Sequence, residues 1–129
     1  MNGKAEGEWG KGAKSGKDSG NASPPGFGAH DFARASATTL AVIEQRVVDA
    51  GIDVDLVSEG VLEIEFDDGG MMVVNRHEVS REIWVAGRSG AHHFRWNGTG
   101  WFDTRSGEPL MVVVSALVSQ MAGRPVVLD

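Results

Sequence analysis

The chain of 129 residues contains no cysteine. That absence removes disulfides, thiol nucleophiles and any thiolate cage for zinc or an iron–sulfur cluster. No apolar run approaches the roughly 18 residues that a membrane span requires, so the pattern predicts a soluble domain that does not cross a membrane. Positive charge is also in short supply, with 12 Lys and Arg against 18 Asp and Glu for a net charge of −6. Such a balance disfavours a nucleic-acid backbone as partner and admits cations or basic protein surfaces. Catalytic signatures are missing as well. The hydroxyls lack a Ser-His-Asp arrangement, no glycine-rich phosphate loop follows a strand, and there is no histidine–glutamate zinc motif. These gaps point away from a conventional enzyme.

Residues 1–28 hold eight of the 18 glycines together with Pro24-Pro25, and their large apolar residues are Met1, Trp9 and Phe27. A segment so poor in apolar surface does not offset its ordering entropy, so a disordered tail is expected over 1–28 and a folded domain over 29–129. The tail has neither the apolar stretch of a secretory peptide nor the arginines of a mitochondrial presequence, and it carries Glu6, Glu8 and Asp18. The expected location is therefore the cytoplasm. Trp9 is read as incidental to the tail, with docking on a partner as the alternative.

From His30 the pattern changes. Phe32, Ser36, Thr39, Leu40, Ile43, Val47 and Ala50 recur at three- and four-residue intervals, which predicts a helix with Asp31 favouring its N-terminus and Gly51 ending it. Ile52, Val54 and Leu56 then alternate with Asp53 and Asp55 as a first strand. Val61–Phe66 is a second alternating strand, Asp67-Asp68-Gly69-Gly70 a turn, and Met71–Val74 an antiparallel return. After the connection 75–81, Glu82–Ala86 resumes the sheet with Ile83 and Val85 on one face and Glu82 and Trp84 on the other. A carboxylate is rarely buried without a partner, so Trp84 is assigned to the solvent side. Arg88-Ser89-Gly90 is a turn, His92–Trp96 a strand, Asn97-Gly98 a hairpin signal and Trp101–Asp103 a short last strand. Gly107-Glu108-Pro109 opens a helix with proline in its first turn. Leu110, Val113, Val114, Leu117 and Met121 form its apolar stripe, Gly123 and Pro125 stop it, and Val126–Leu128 runs back along the domain. The order helix, about six mostly antiparallel strands, helix suits a two-layer α+β sandwich with both helices on one sheet face.

The strongest charge asymmetry lies between Glu44 and Asp68, where nine acids accompany the single base Arg46. Strand residues two apart are about 7 Å from one another, so Asp53 with Asp55 and Glu63 with Glu65 make two carboxylate ladders. Each such pair costs roughly 0.6 kcal/mol in water. Asp49, near the C-terminal end of the first helix, is disfavoured by the helix dipole. Hard cations such as iron, manganese, calcium or magnesium would relieve this repulsion, binding weakly with water completing the shell. A merely solvated acidic face remains the alternative. His92 and His93 are adjacent on a strand, point to opposite faces and do not readily share an ion. The free sheet face, carrying Trp84, His93 and Arg95, has the residue types of a docking surface.

Several spacings together resemble the frataxin family, its bacterial members in particular, across about residues 29–129. They are Gly60-Val61-Leu62 opening a strand, Asn75-Arg76, the step from Asn75 to Ile83-Trp84, Gly90 before His92-His93-Phe94, Trp101, Asp103-Thr104-Arg105-Ser106-Gly107, and the closing helix with Gly123. The resemblance implies a frataxin-like sandwich and a non-enzymatic, iron-binding regulator of iron–sulfur cluster assembly, acting as iron donor or sensor. By the same resemblance, Glu44, Asp49, Asp53 and Asp55 would bind ferrous or ferric iron weakly. Asn75, Arg76, Trp84 and His93 would dock on the cysteine desulfurase and the scaffold protein. Gln45 and Val48 stand where bacterial members often carry further carboxylates, and His77 and Val79 replace a usual glutamine and proline. The expected state is a monomer, with an iron-dependent oligomer as a further state. Two other readings follow from the same residues. One is an acidic interaction module that regulates the desulfurase with no physiological metal. The other, an iron-oxidising storage enzyme, is disfavoured because the carboxylates are exposed and no histidine joins them.

Overall fold

The computed structural model describes residues 23–128. Helix α1 (Ala29–Asp49) opens the domain, six strands follow, and helix α2 (Leu110–Ala122) closes it. The strands are β1 (Asp53–Ser58), β2 (Val61–Glu65), β3 (Met71–His77), β4 (Glu82–Gly87), β5 (Gly90–Trp96) and β6 (Trp101–Asp103). They form one antiparallel meander in chain order.

Each helix forms where the apolar spacing predicts. In α1 the residues Phe32, Ser36, Leu40, Ile43 and Val47 are buried, one stripe of a 3.6-residue period. Asp31 secures its start by accepting the Gly28 N–H at 3.0 Å. Thr39 lies beside the stripe and accepts the Trp101 indole N–H at 2.9 Å, which ties the helix to β6. Gly51, with φ +78°, makes the turn into β1. In α2 the predicted stripe is buried together with Val118. Pro109, expected inside the first turn, instead precedes the helix. Its ψ of 146° is extended, so the helix begins at Leu110. Beyond the left-handed Gly123, Val126 and Leu128 turn back into the core. Their backbone amides are received by the Ser119 and Ser115 hydroxyls at 2.8 and 2.9 Å.

Cross-strand register sorts the sheet into two faces. Leu62, Ile64, Met72, Val74, Ile83, Val85 and Phe94 are all fully buried beneath the helices, and burying each such side chain is worth about 1.5–3 kcal/mol. The alternate residues form an outer face, which no helix covers among the described residues. Strand β1 departs from expectation. Leu56, expected to be covered with Ile52 and Val54, is 53 % exposed although it stands opposite the buried Leu62. Among the described residues β1 is an edge strand with no neighbour on its outer side.

Residues 1–22, with Trp9, lie outside the described residues. Ser23–Gly28, assigned to the tail, are packed on the domain. The Ser23 hydroxyl donates to the Trp96 carbonyl at 2.8 Å, Phe27 stacks on Trp96 at 6.4 Å, and Arg81 donates to the Phe27 carbonyl at 3.4 Å. These three contacts hold the short segment against the β5–β6 hairpin and the β3–β4 turn. No described helix is long and apolar enough to cross a membrane.

Candidate functional site

The outer face has two chemically different ends. At the β1–β2 end, Asp53 stands directly opposite Glu65 and Asp55 directly opposite Glu63. The two carboxylate ladders are thus one four-membered patch, in which side chains facing each other lie about 5 Å apart. Asp53 and Asp55 are exposed, as is Asp49 at the end of α1, while Glu44 is half-buried. Gln45 donates to Asp49 at 2.9 Å. Among the described residues, no three His, Asp or Glu side chains converge on a point that could hold a metal ion. The donor chemistry, carboxylate oxygen throughout, suits hard cations. The spacing is that of an open field in which an ion keeps most of its water.

At the β3–β5 end the side chains form an ordered stack. Asn75, Trp84 and His93 are successive cross-strand neighbours in one row that begins at Val61. The Trp84 indole lies between two imidazoles, with His77 at 3.8 Å and 7° on one side and His93 at 4.5 Å and 10° on the other. The His77 Nδ1 lies 2.8 Å from the Ser80 hydroxyl and accepts the Ser80 backbone N–H at 3.4 Å, so the β3–β4 turn fixes the ring. At the tip of that turn Val79 is 92 % exposed.

Trp84 lies on the solvent side as expected, but the ground for that expectation was wrong. Glu82 is itself buried, its side chain 8 % exposed. It accepts the Trp84 indole N–H at 2.8 Å and an Arg95 guanidinium N–H at 2.9 Å, and the His93 Nδ1 lies 3.7 Å away. With those partners a carboxylate is tolerated beneath the aromatic rings. Burial pushes the His93 imidazole below its ordinary range; the Glu82 carboxylate opposes this shift and Arg105 reinforces it.

Of the residues expected to dock partners, the structure groups Asn75, Trp84 and His93 and separates Arg76. Arg76 stands opposite Ile83 and therefore on the helix-bearing face. It is largely buried at the sheet end and pairs with Glu59 at 3.4 Å and Glu78 at 3.1 Å. These pairs link the β1–β2 turn to the β3–β4 turn. His92 and His93 do part to opposite faces, and the His92 Nδ1 lies 3.0 Å from the buried Asp103. Asp103 also accepts the backbone amides of Arg105 and Ser106 at 2.7 and 3.1 Å. A depression of about 280 Å³ between the helix ends is lined by Asp67, Asp68, Arg88 and Arg124. Its arginines are already engaged, Arg88 with Asp68 and Arg124 with the Ala50 carbonyl.

This sandwich matches known proteins. A family model described as a frataxin-like domain matches residues 27–124, and the chain belongs to the frataxin family. It is 52 % identical over 80 residues to the iron–sulfur cluster assembly protein CyaY of Dechloromonas aromatica (strain RCB), covering 62 % of this chain and 76 % of that one. It is 40 % identical over 105 residues to the protein of the same name from Janthinobacterium sp. (strain Marseille), covering 77 % and 94 %. Among solved structures, frataxin from Psychromonas ingrahamii superposes with a TM-score of 0.72 at 23 % identity, over 79 % of this chain and 98 % of that one. Trimeric frataxin from the yeast Saccharomyces cerevisiae, complexed with ferrous iron, gives 0.51 at 26 % identity over 74 % and 86 %.

Proposed function

We propose that the chain is a non-enzymatic regulator of iron–sulfur cluster assembly in the bacterial cytoplasm. It docks on the cysteine desulfurase and its scaffold protein and binds iron weakly as donor or sensor. The observation that carries the docking half is the Asn75–Trp84–His93 row, held in place from beneath by Glu82 and Arg95. A pre-ordered aromatic on a helix-free face is the kind of anchor that dominates interface energetics. The relatives named for cluster assembly support the same reading. In a pull-down of desulfurase and scaffold, Trp84→Ala is expected to lose the complex while keeping its fold. Unchanged retention would overturn this half.

The iron half rests on Glu44, Asp49, Asp53 and Asp55. Titrating ferrous iron while following amide NMR signals is expected to perturb residues 44–55 first. Perturbation confined elsewhere would remove the metal assignment. The yeast relative is a trimer with ferrous iron, and this chain is read as a monomer that associates only when iron is added, which sedimentation would test. A second reading is favoured by the lack of convergence among the described acids: the acidic face meets only a basic protein surface, and metal plays no part. Desulfurase binding that weakens with salt and ignores both iron and chelator would select it.

A further inference from the structure

We infer that the outer edge of β1 is a strand-addition site for an extended, basic segment of a partner protein. The inference requires neither iron nor the Trp84 row; it rests on the second reading above, in which the acidic face meets a basic protein, and adds the strand pairing by which that protein would be held.

The two edges of the sheet are unequal. Strand β6 is three residues long, two of them buried, and Phe102 already bridges to Pro109. Strand β1 has six residues, and among the described residues it pairs on one side only, with β2. A strand in that position leaves a row of backbone donors and acceptors open to water, a ready template for another chain. Its side chains are open as well, with Leu56 53 % and Val57 46 % exposed. Leu56 belongs to the helix-bearing face opposite the buried Leu62, so it is a core-type position left uncovered for want of one more strand. The register shift between Leu56 and Ser58 bounds the flat part of the edge to Asp53–Leu56.

Charge selects the occupant. Asp53 and Asp55 sit on the outer face with Glu65 and Glu63 directly behind them. Two copies of β1 paired edge to edge would bring like charges together, which discourages self-association through this strand. A segment with Lys or Arg facing Asp53 and Asp55, and apolar residues between them facing Val54 and Leu56, satisfies the backbone, the charges and the uncovered leucine at once.

The test uses the full chain, labelled with nitrogen-15, and three synthetic octapeptides. One alternates Lys and Val, the second is the same peptide N-methylated at alternate backbone amides, and the third alternates Glu and Val. The Lys–Val peptide is expected to shift residues 53–58 and to slow amide exchange in β1. N-methylation should weaken binding at least tenfold, the Glu–Val peptide should not bind, and the Asp53→Lys/Asp55→Lys variant should prefer Glu–Val over Lys–Val. Equal binding of the methylated peptide would reduce the effect to charge attraction and overturn the inference. Shifts centred on Trp84 and His93 in place of β1 would overturn it too.

Discussion

Glu82 invites a direct test, because a buried carboxylate beneath a half-buried aromatic row has to be held by its partners or it would not be there. Glu82→Ala removes the acceptor for Arg95 at 2.9 Å and for the Trp84 indole N–H at 2.8 Å. Breaking a fully buried ion pair from one side costs about 3–5 kcal/mol. Arg95 is 26 % exposed and regains some water, so about 2 kcal/mol is the share expected here. An indole N–H left without its acceptor at a half-buried site adds about 1 kcal/mol. The sum, about 3 kcal/mol, corresponds to a fall in Tm of about 15 °C for a domain of this size. Glu82→Gln keeps one oxygen as acceptor for the indole but turns the other, which accepts from Arg95, into an NH2 donor and removes the charge, so about 2 kcal/mol, the share of the Arg95 pair, is expected. Urea unfolding of Glu82→Ala, Arg95→Ala and the double variant closes a thermodynamic cycle, with a coupling of about 2 kcal/mol expected. A cost for Glu82→Ala below about 1 kcal/mol, with the two single changes simply additive, would refute the reasoning.

Because His93 has a lowered pKa in the fold, the unfolded chain binds its proton first as pH falls. Its contribution to stability is therefore complete above the ordinary imidazole value of about 6.5 and is lost as pH falls through the lowered value. His93→Gln should flatten unfolding free energy against pH just below 6.5, and an unchanged slope would contradict this. Gly60 has φ +80°, and a Cβ there would lie 3.0 Å from the Arg76 Nε. Gly60→Ala should cost about 2 kcal/mol by urea melt, against about 1 for Gly51→Ala, which has the same backbone strain and open space around it. Glu63→Gln and Glu65→Gln each relieve one directly opposed like-charge pair. Each should raise stability by about 0.5 kcal/mol at low salt, and by less as salt is added.

Much of the architecture was legible because apolar spacing and turn chemistry agree along most of the chain. Phe32 through Val47 and Leu110 through Met121 each show one stripe, and Asp67–Gly70 and Asn97-Gly98 mark reversals that the strands obey. The Glu82–Arg95 pair was harder to see. Alternation put both residues on the outer face, but their meeting depends on the register set by Gly87 standing opposite Gly90. The tight Arg88-Ser89 turn would have given that register by counting back. Arg76 stands apart from the row for a related reason. Its place beside Asn75 in the motif suggested a shared role, whereas a one-residue step along a strand reverses the face. Leu56 could not be read from its own strand at all, since exposure at an edge depends on which strand comes last. The stacking of His77 on Trp84 also had no local signal, because it requires β3 to extend two residues beyond Asn75.

The stack between His77 and His93 changes what Trp84 can offer a partner. Both faces of the indole are occupied, so an incoming ring or guanidinium cannot lie flat on it without first prying an imidazole away. The indole N–H is already spent on Glu82. What remains is the hydrocarbon rim, met side-on. A partner docking at this tryptophan, as proposed above, would have to meet it by shape along one edge, with a narrow apolar slot in place of a flat platform.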